Sequence, residues 1–205
     1  MSNFSVQSIE IPSYTGVTIS NTLAGEGNSR LVVMLPGLGY TVDAPLMHYL
    51  RNIAWHNNFD VLSVKYGFQV AQTRYEAQYQ ATITQESRQA IEQALAKGYK
   101  ELILVGKSLG TPMAAVLANH FSQTTKLLLL TPIRDSHTIA PNISTLAIIG
   151  TSDPRYEEGL ALDTDMLRWK VYEGLNHSLE ISGDILASIS IMRDMMETCE
   201  NFLNS

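Results

Sequence analysis

The sequence predicts an α/β fold: an open, mostly parallel sheet with helices on both faces, antiparallel strands at the N-terminus and no large cap. Three observations predict it. Short continuous apolar runs recur, LVVML at 31–35, VLSV at 61–64, LILV at 102–105, LLLL at 127–130 and LAII at 146–149, and such runs suggest strands buried on both faces. Helical periodicity fills the segments between them, as parallel pairing requires, because each strand must be carried back across the sheet. The connections are short, with no internal repeat, low-complexity tract or linker. Residues 1–205 are therefore expected to form one domain, and the brief stretch from Leu130 to Leu146 leaves little chain for a lid.

Taken in order, Val6 to Leu23 reads as two short strands around Pro12-Ser13-Tyr14-Thr15-Gly16, followed by a flexible turn at Gly25-Glu26-Gly27-Asn28-Ser29. Leu46, Leu50 and Ile53 share one face of a first helix. Ile83, Ala90, Ile91, Ala94 and Leu95 form the face of a second, which should stop at Gly98. In a third, Pro112 lies in the first turn, where a missing N–H does little harm, and Ala114, Ala115 and Ala118 permit close approach to the sheet. Trp169-Lys170-Val171-Tyr172 is the last strand. Ile185, Ile189, Met192, Met196, Cys199 and Leu203 then recur at steps of four and three, the apolar face of a C-terminal helix.

Composition supports an ordinary enzyme-sized core, with 45% hydrophobic and 17% charged residues over 205 positions. The net charge of -6 comes from dispersed carboxylates, and no Lys/Arg cluster forms the basic stripe of a nucleic-acid binder, so neither DNA nor RNA is expected as a partner. Met1-Ser2-Asn3-Phe4 opens without a basic and apolar leader. No stretch approaches the roughly 18 uninterrupted apolar residues of a membrane span, and the expected location is the cytoplasm. A lone cysteine, Cys199, leaves no disulfide framework and reads as a buried, inert thiol.

In such sheets the carboxyl ends of the strands carry the site, so the residues after each apolar run are read together. They are Pro36-Gly37-Leu38-Gly39-Tyr40, Gly106-Lys107-Ser108-Leu109-Gly110, Gly150-Thr151-Ser152-Asp153-Pro154 and Glu173-Gly174-Leu175-Asn176-His177. The second is a nucleophile elbow: a serine on so sharp a strand-to-helix turn projects its hydroxyl above the sheet. Its flanking glycines are needed because a Cβ at either would strike the neighbouring strand or helix.

From Leu31 onward the chain resembles the α/β-hydrolase superfamily, in the Gly-x-Ser-x-Gly sequence and in the order Ser108, Asp153, His177, each at the end of a strand. The resemblance implies that Ser108 is the nucleophile, His177 the general base and later acid, and Asp153 the group that orients the imidazole. It further implies an oxyanion hole made by the backbone N–H groups of Leu109 and Leu38. Pro36 stands where a histidine often precedes this glycine, which leaves the backbone donor available. The chemistry is coherent by itself, since a serine hydroxyl needs an adjacent base at neutral pH, and imidazole, with a pKa near about 6.5, can accept and return its proton.

Competing readings are weaker. Ser108 could be a helix N-cap and Asp153 a turn opener before Pro154. Asp163 and Asp165 compete for the acid role from a polar stretch expected to face solvent. His137 is the rival base, but it precedes Asp153 and so breaks the order; His48, His56 and His120 fall on predicted helices. A phosphate loop ending in Gly106-Lys107-Ser108 would need glycine where Glu101 stands, and a Ser-Lys dyad would need lysine at Thr111. Lys107 is expected to pair with a carboxylate beside the elbow, or else to favour anionic substrates. A dinucleotide fingerprint at Gly37-Leu38-Gly39 would need glycine at Val42, and no His/Cys/Asp/Glu group has metal-ligand spacing, so neither cofactor nor metal is expected.

The sequence thus points to a serine hydrolase acting on an ester or thioester through an acyl-enzyme. The alternatives are a catalytically silent binding protein of the same fold, or an acyltransferase or peptidase using the same triad. The expected partner is a small acyl substrate, the chain being a monomer or small homo-oligomer. Tyr40, Tyr66, Arg134, Arg155 and Tyr156 are substrate-pocket candidates by their placement after strands.

Overall fold

The computed structural model describes residues 4–133, 136, 140, 142–157 and 164–205. Among these residues, eight strands form one sheet: β1 (Ser5–Pro12), β2 (Thr18–Gly25), β3 (Arg30–Leu35), β4 (Asp60–Ser63), β5 (Glu101–Lys107), β6 (Thr124–Leu130), β7 (Ser144–Gly150) and β8 (Leu167–Tyr172). Their spatial order is β1-β2-β4-β3-β5-β6-β7-β8. β1 pairs antiparallel with β2, and β2 with β4, while every other pairing is parallel. Every apolar run read as a strand is one.

The helices are α1 (Pro45–His56), a single turn α2 (Gly67–Val70), α3 (Gln80–Leu95), α4 (Gly110–His120) and α5 (Ile185–Asn204), with a 3-10 turn at Ala77–Tyr79. Alternate residues of the central strands face opposite sides. Leu31, Val33 and Leu35 of β3, with Leu102 and Leu104 of β5, pack on α3 and α4 through Ile83, Ala90, Ala94, Ala114, Ala115 and Ala118. Val32, Met34, Ile103 and Val105 face α1 and α5 through Leu46, Leu50, Met195, Cys199 and Leu203. Each fully buried Leu, Ile or Val contributes roughly 1.5–3 kcal/mol, and with both faces covered the sheet is the stable frame on which the strand-end loops are held.

The structure differs from expectation in four places. α3 ends at Leu95, and Gly98, at φ 96°, lies just beyond it, its N–H donating to the Leu95 carbonyl at 2.9 Å. α2 and the 3-10 turn lie between β4 and α3, where the sequence pattern marks no element. The turn after β2 is fastened rather than flexible. The buried carboxylate of Asp60 accepts the N–H groups of Glu26, Gly27 and Asn28 and the Tyr99 hydroxyl, because a buried carboxylate has to find donors.

The fourth difference is the start of α5. Ile185 and Ile189 are 75% and 58% exposed, whereas Cys199 and Leu203 are fully buried. A 20-residue helix is about 30 Å long, more than the about 23 Å of a seven-residue strand, so its first turns run past the sheet that buries the rest. Cys199 is buried, as expected, and burial pushes its thiol up to about 12. Among the described residues no helix is long and apolar enough to cross a membrane.

Candidate active site

The sheet order reverses at β3, whose neighbours β4 and β5 are reached by chain running in opposite directions, and such a point opens a crevice at the carboxyl ends of the strands. Gly37 and Ser108 face each other there. A Cβ on Gly37 would lie 3.4 Å from that of Ser108. Ser108 has φ 49°, in the left-handed region that costs a non-glycine residue about 1 kcal/mol or more. The turn is held there from both sides: the Ser108 N–H donates to the Leu130 carbonyl at 2.9 Å, and the Ser108 carbonyl accepts the Thr111 N–H and hydroxyl at 2.9 and 2.7 Å. Thr111, where a Ser-Lys dyad would place its lysine, also accepts the Ile133 N–H at 3.1 Å.

The flanking glycines collide as expected if given a side chain. A Cβ on Gly106 would lie 2.5 Å from the Gly110 carbonyl oxygen, where α4 begins, and one on Gly110 would lie 2.2 Å from the Leu35 carbonyl oxygen of β3. Leu109 is the N-cap of α4. Its N–H therefore belongs to the helix end at which amide dipoles leave partial positive charge.

Beyond β7 and β8 two loops bring the other groups in. Ser108 Oγ is 2.7 Å from His177 Nε2, and His177 Nδ1 is 2.7 Å from Asp153 Oδ2. The Asp153 carboxylate is shielded from solvent while the imidazole is 38% exposed. The loops are joined along their length: the Thr151 N–H donates to the Tyr172 carbonyl, the Ser152 N–H to the Leu175 carbonyl, and the Gly174 N–H to the Thr151 hydroxyl. The second Asp153 oxygen accepts the Arg155 N–H at 2.9 Å. Asn176 Oδ1 accepts the Ser178 N–H at 2.8 Å and tightens the turn that carries His177.

The loop after β3 is also tied down. Its Pro36 carbonyl accepts the Tyr66 hydroxyl at 3.0 Å, and Gln69 Nε2 donates to the Gly37 and Leu38 carbonyls at 2.9 and 3.2 Å. The Gly37 N–H is taken by the Tyr40 carbonyl. In a trans peptide the N–H points opposite its C=O, so anchoring the Gly37 carbonyl on Gln69 turns the Leu38 N–H away from Gln69. Gln69 went unread in the sequence. No sequence signal pointed to it, since α2, the turn that carries it, shows no periodicity.

Lys107 departs from expectation. It is 1% exposed and, among the described residues, pairs with no carboxylate by hydrogen bond; Nζ donates to the Thr131 hydroxyl at 2.5 Å and to the His177 main-chain carbonyl at 2.6 Å. Being enclosed, it is also badly placed to attract anionic substrates. Burial lowers its pKa to about 8, against the attraction of Asp153 and Glu180.

The pocket candidates separate. Tyr66 is 1% exposed and serves the Pro36 carbonyl, so it is a support for the loop and not a wall of an open pocket; burial raises its pKa well above the ordinary phenol value. Tyr40 is half-buried, its hydroxyl accepting the Leu46 N–H at 3.1 Å and its ring 5.2 Å from Lys107 Nζ. Arg155 is exposed and Tyr156 half-buried beside Asp153. Arg134, the rival His137 and Asp163 lie outside the described residues, while Asp165, His48, His56 and His120 are solvent-exposed. Among the described residues no cluster of His, Cys, Asp and Glu could hold a metal ion.

No protein-family model and no curated protein matches the chain. Solved structures are similar over nearly its whole length. A protein of unknown function from Agrobacterium tumefaciens, described as a candidate alpha/beta hydrolase, has a TM-score of 0.77 at 16% identity, covering 97% of this chain and 95% of that one. An esterase from Pyrococcus furiosus has a TM-score of 0.68 at 12% identity, covering 98% and 92%. A serine hydrolase without a lid from Xanthomonas campestris has a TM-score of 0.70 at 11% identity, covering 96% and 93%. Identities this low speak for architecture and not for chemistry. With the sheet order and strand-end loops above, they show that the chain has the alpha/beta-hydrolase fold.

Proposed function

We propose that the protein is a serine hydrolase that cleaves a carboxylic ester or thioester through an acyl-enzyme. The observation that carries this reading is the unbroken relay Ser108 Oγ, His177 Nε2, His177 Nδ1 and Asp153 Oδ2, with both links at 2.7 Å. In the first step Ser108 Oγ bonds to the substrate carbonyl carbon while its proton passes to His177 Nε2. Asp153 holds the Nδ1 proton and stabilises the imidazolium. The N–H groups of Leu38 and Leu109 stabilise the oxyanion, each such donor being worth about 3–4 kcal/mol. Collapse breaks the bond to the alkoxide or thiolate, which leaves with the proton from His177. A water activated by His177 then releases the acid and restores Ser108.

The half-exposed imidazole and the 51% exposed Leu38 support a site reached directly from solvent, and with it small or flexible acyl substrates. Labelling with a fluorophosphonate tests the reading. Wild type should react and Ser108→Ala should not. Labelling that persists in the variant sinks the nucleophile assignment, whereas a folded wild type inert to the probe and to short p-nitrophenyl esters favours a silent binding protein.

A further inference from the structure

The steps above leave Lys107 without a task, although it is a buried cation inside the elbow itself. A buried ammonium ordinarily faces a carboxylate in hydrogen-bond contact. Here the two acceptors among the described residues are neutral, and they sit on two different parts of the site. One is the Thr131 hydroxyl at the end of β6, and the other is the main-chain carbonyl of the residue that bears the imidazole.

The geometry closes a circuit around the nucleophile. The Leu130 carbonyl accepts both the Ser108 N–H at 2.9 Å and the Thr131 hydroxyl at 2.8 Å. Since the Thr131 hydroxyl proton is used there, its oxygen is left to accept from Lys107. Thr131 is itself strained, a β-branched residue at φ 48°, held by its N–H on the Ile148 carbonyl at 2.7 Å. Such strain persists only where the surroundings over-determine it. From this anchored corner the Lys107 ammonium reaches the His177 carbonyl and joins the ends of β5 and β6 to the loop after β8.

We propose that Lys107 is a positioning residue, whose ammonium fastens the His177 main chain to the strand end beside Ser108 and so keeps Nε2 within hydrogen-bond reach of Oγ. Its consequence for turnover rests on the serine-hydrolase reading; the geometry it holds can be measured without turnover. Among the described residues, the groups facing the ammonium are Asp153 from the β7 loop, Glu180 and His177 from the β8 loop, and the Tyr40 ring from the β3 loop. With burial bringing Lys107 to about 8, its charge is lost across the mildly alkaline range. Hydrogen bonds from a charged donor are about twice as strong as neutral ones, so the tether weakens as pH rises.

Lys107→Met in the full chain tests this, since the thioether fills the space of the stem without donating. The readouts are kcat and KM on a short p-nitrophenyl ester, the rate of fluorophosphonate labelling, the downfield proton resonance of His177 Nδ1–H on Asp153, and thermal stability. Expected are falls of about tenfold or more in kcat and labelling rate, as displacement of a catalytic group can produce. KM should change less than about threefold. The resonance should broaden at unchanged or higher Tm, with partial recovery in Lys107→Arg. In wild type the labelling rate and resonance should decline with a midpoint near pH 8, a step absent from Lys107→Met. The inference is overturned if kcat, labelling and the resonance match wild type, or if activity is lost only in proportion to melting. Should Lys107→Met not fold, a wild-type resonance unchanged from pH 7 to 9.5 overturns it. Should wild type prove inert to the probe, the hydrolase reading fails, and a sharp Nδ1–H resonance retained in Lys107→Met then separately refutes the tether.

Discussion

Gly110 lies so close to Leu35 that a Cβ on it would stand 2.2 Å from the Leu35 carbonyl oxygen, so the helix that starts after Ser108 rests directly on the neighbouring strand. The contact is backbone against backbone, and no rotamer change can relieve it. Gly110→Ala should destabilise the protein by about 1–3 kcal/mol, with Gly106→Ala similar, since its Cβ would stand 2.5 Å from the Gly110 carbonyl oxygen. Urea denaturation measures both. Wild-type midpoints would contradict the close approach.

Under the serine-hydrolase reading, Asp153→Asn should lower kcat by about 10³–10⁴ while leaving the fold intact, because an amide facing Nδ1 favours the imidazole tautomer that cannot accept the Ser108 proton. The Arg155 N–H can still be accepted by the amide oxygen. Kinetics paired with circular dichroism check this. An effect below tenfold would mean that Asp153 does not orient the base.

Gln69 holds two carbonyls of the loop that carries the Leu38 N–H. On the serine-hydrolase reading, Gln69→Ala should therefore reduce kcat by about tenfold to a hundredfold with little change in KM, less than the about 10²–10³ of losing an oxyanion donor outright, because the loop keeps its Tyr66 anchor. Tyr66→Phe leaves the Pro36 carbonyl unpaired and should cost about 1 kcal/mol or more of stability. Steady-state kinetics and denaturation separate the two effects.

Lys107 also makes stability depend on pH. With its pKa at about 8 in the folded chain against an ordinary 10.5, the unfolded chain retains a proton between those values that the native state has released. Stability from this group therefore rises with pH through that window, by on the order of 3 kcal/mol in total, and is flat below it. Cys199, pushed up to about 12, and the phenols of Tyr99 and Tyr172, also raised, act in the opposite sense, because the unfolded chain ionises them first. The comparison to make is with Lys107→Met, which keeps those three groups. Its stability advantage over wild type should shrink as pH rises from 8 to 10, and a constant difference would contradict the buried cation.

Much of the architecture was legible because burial writes itself into the letters. A strand covered on both faces must be apolar at successive positions, as in Leu127 to Leu130, and a turn with no room for a side chain must use glycine, as at Gly106 and Gly110. The apolar stripe of α5 was equally visible, but periodicity reports only that a face exists, not how far its neighbours extend, and Ile185 and Ile189 run beyond the sheet.

The sequence by itself determined the sheet, the helices that cover it and the set of strand-end residues from which Ser108, Asp153 and His177 could be chosen. Only the tertiary structure decided that these three stand in contact, that Tyr66 supports a loop, and that Lys107 reaches Thr131 and the His177 carbonyl. The reason is physical. Side-chain polarity and size are encoded one residue at a time, whereas a main-chain carbonyl is the same in every residue. Which one a buried donor finds depends on how segments 70 residues apart in the chain, as Lys107 and His177 are, are brought together.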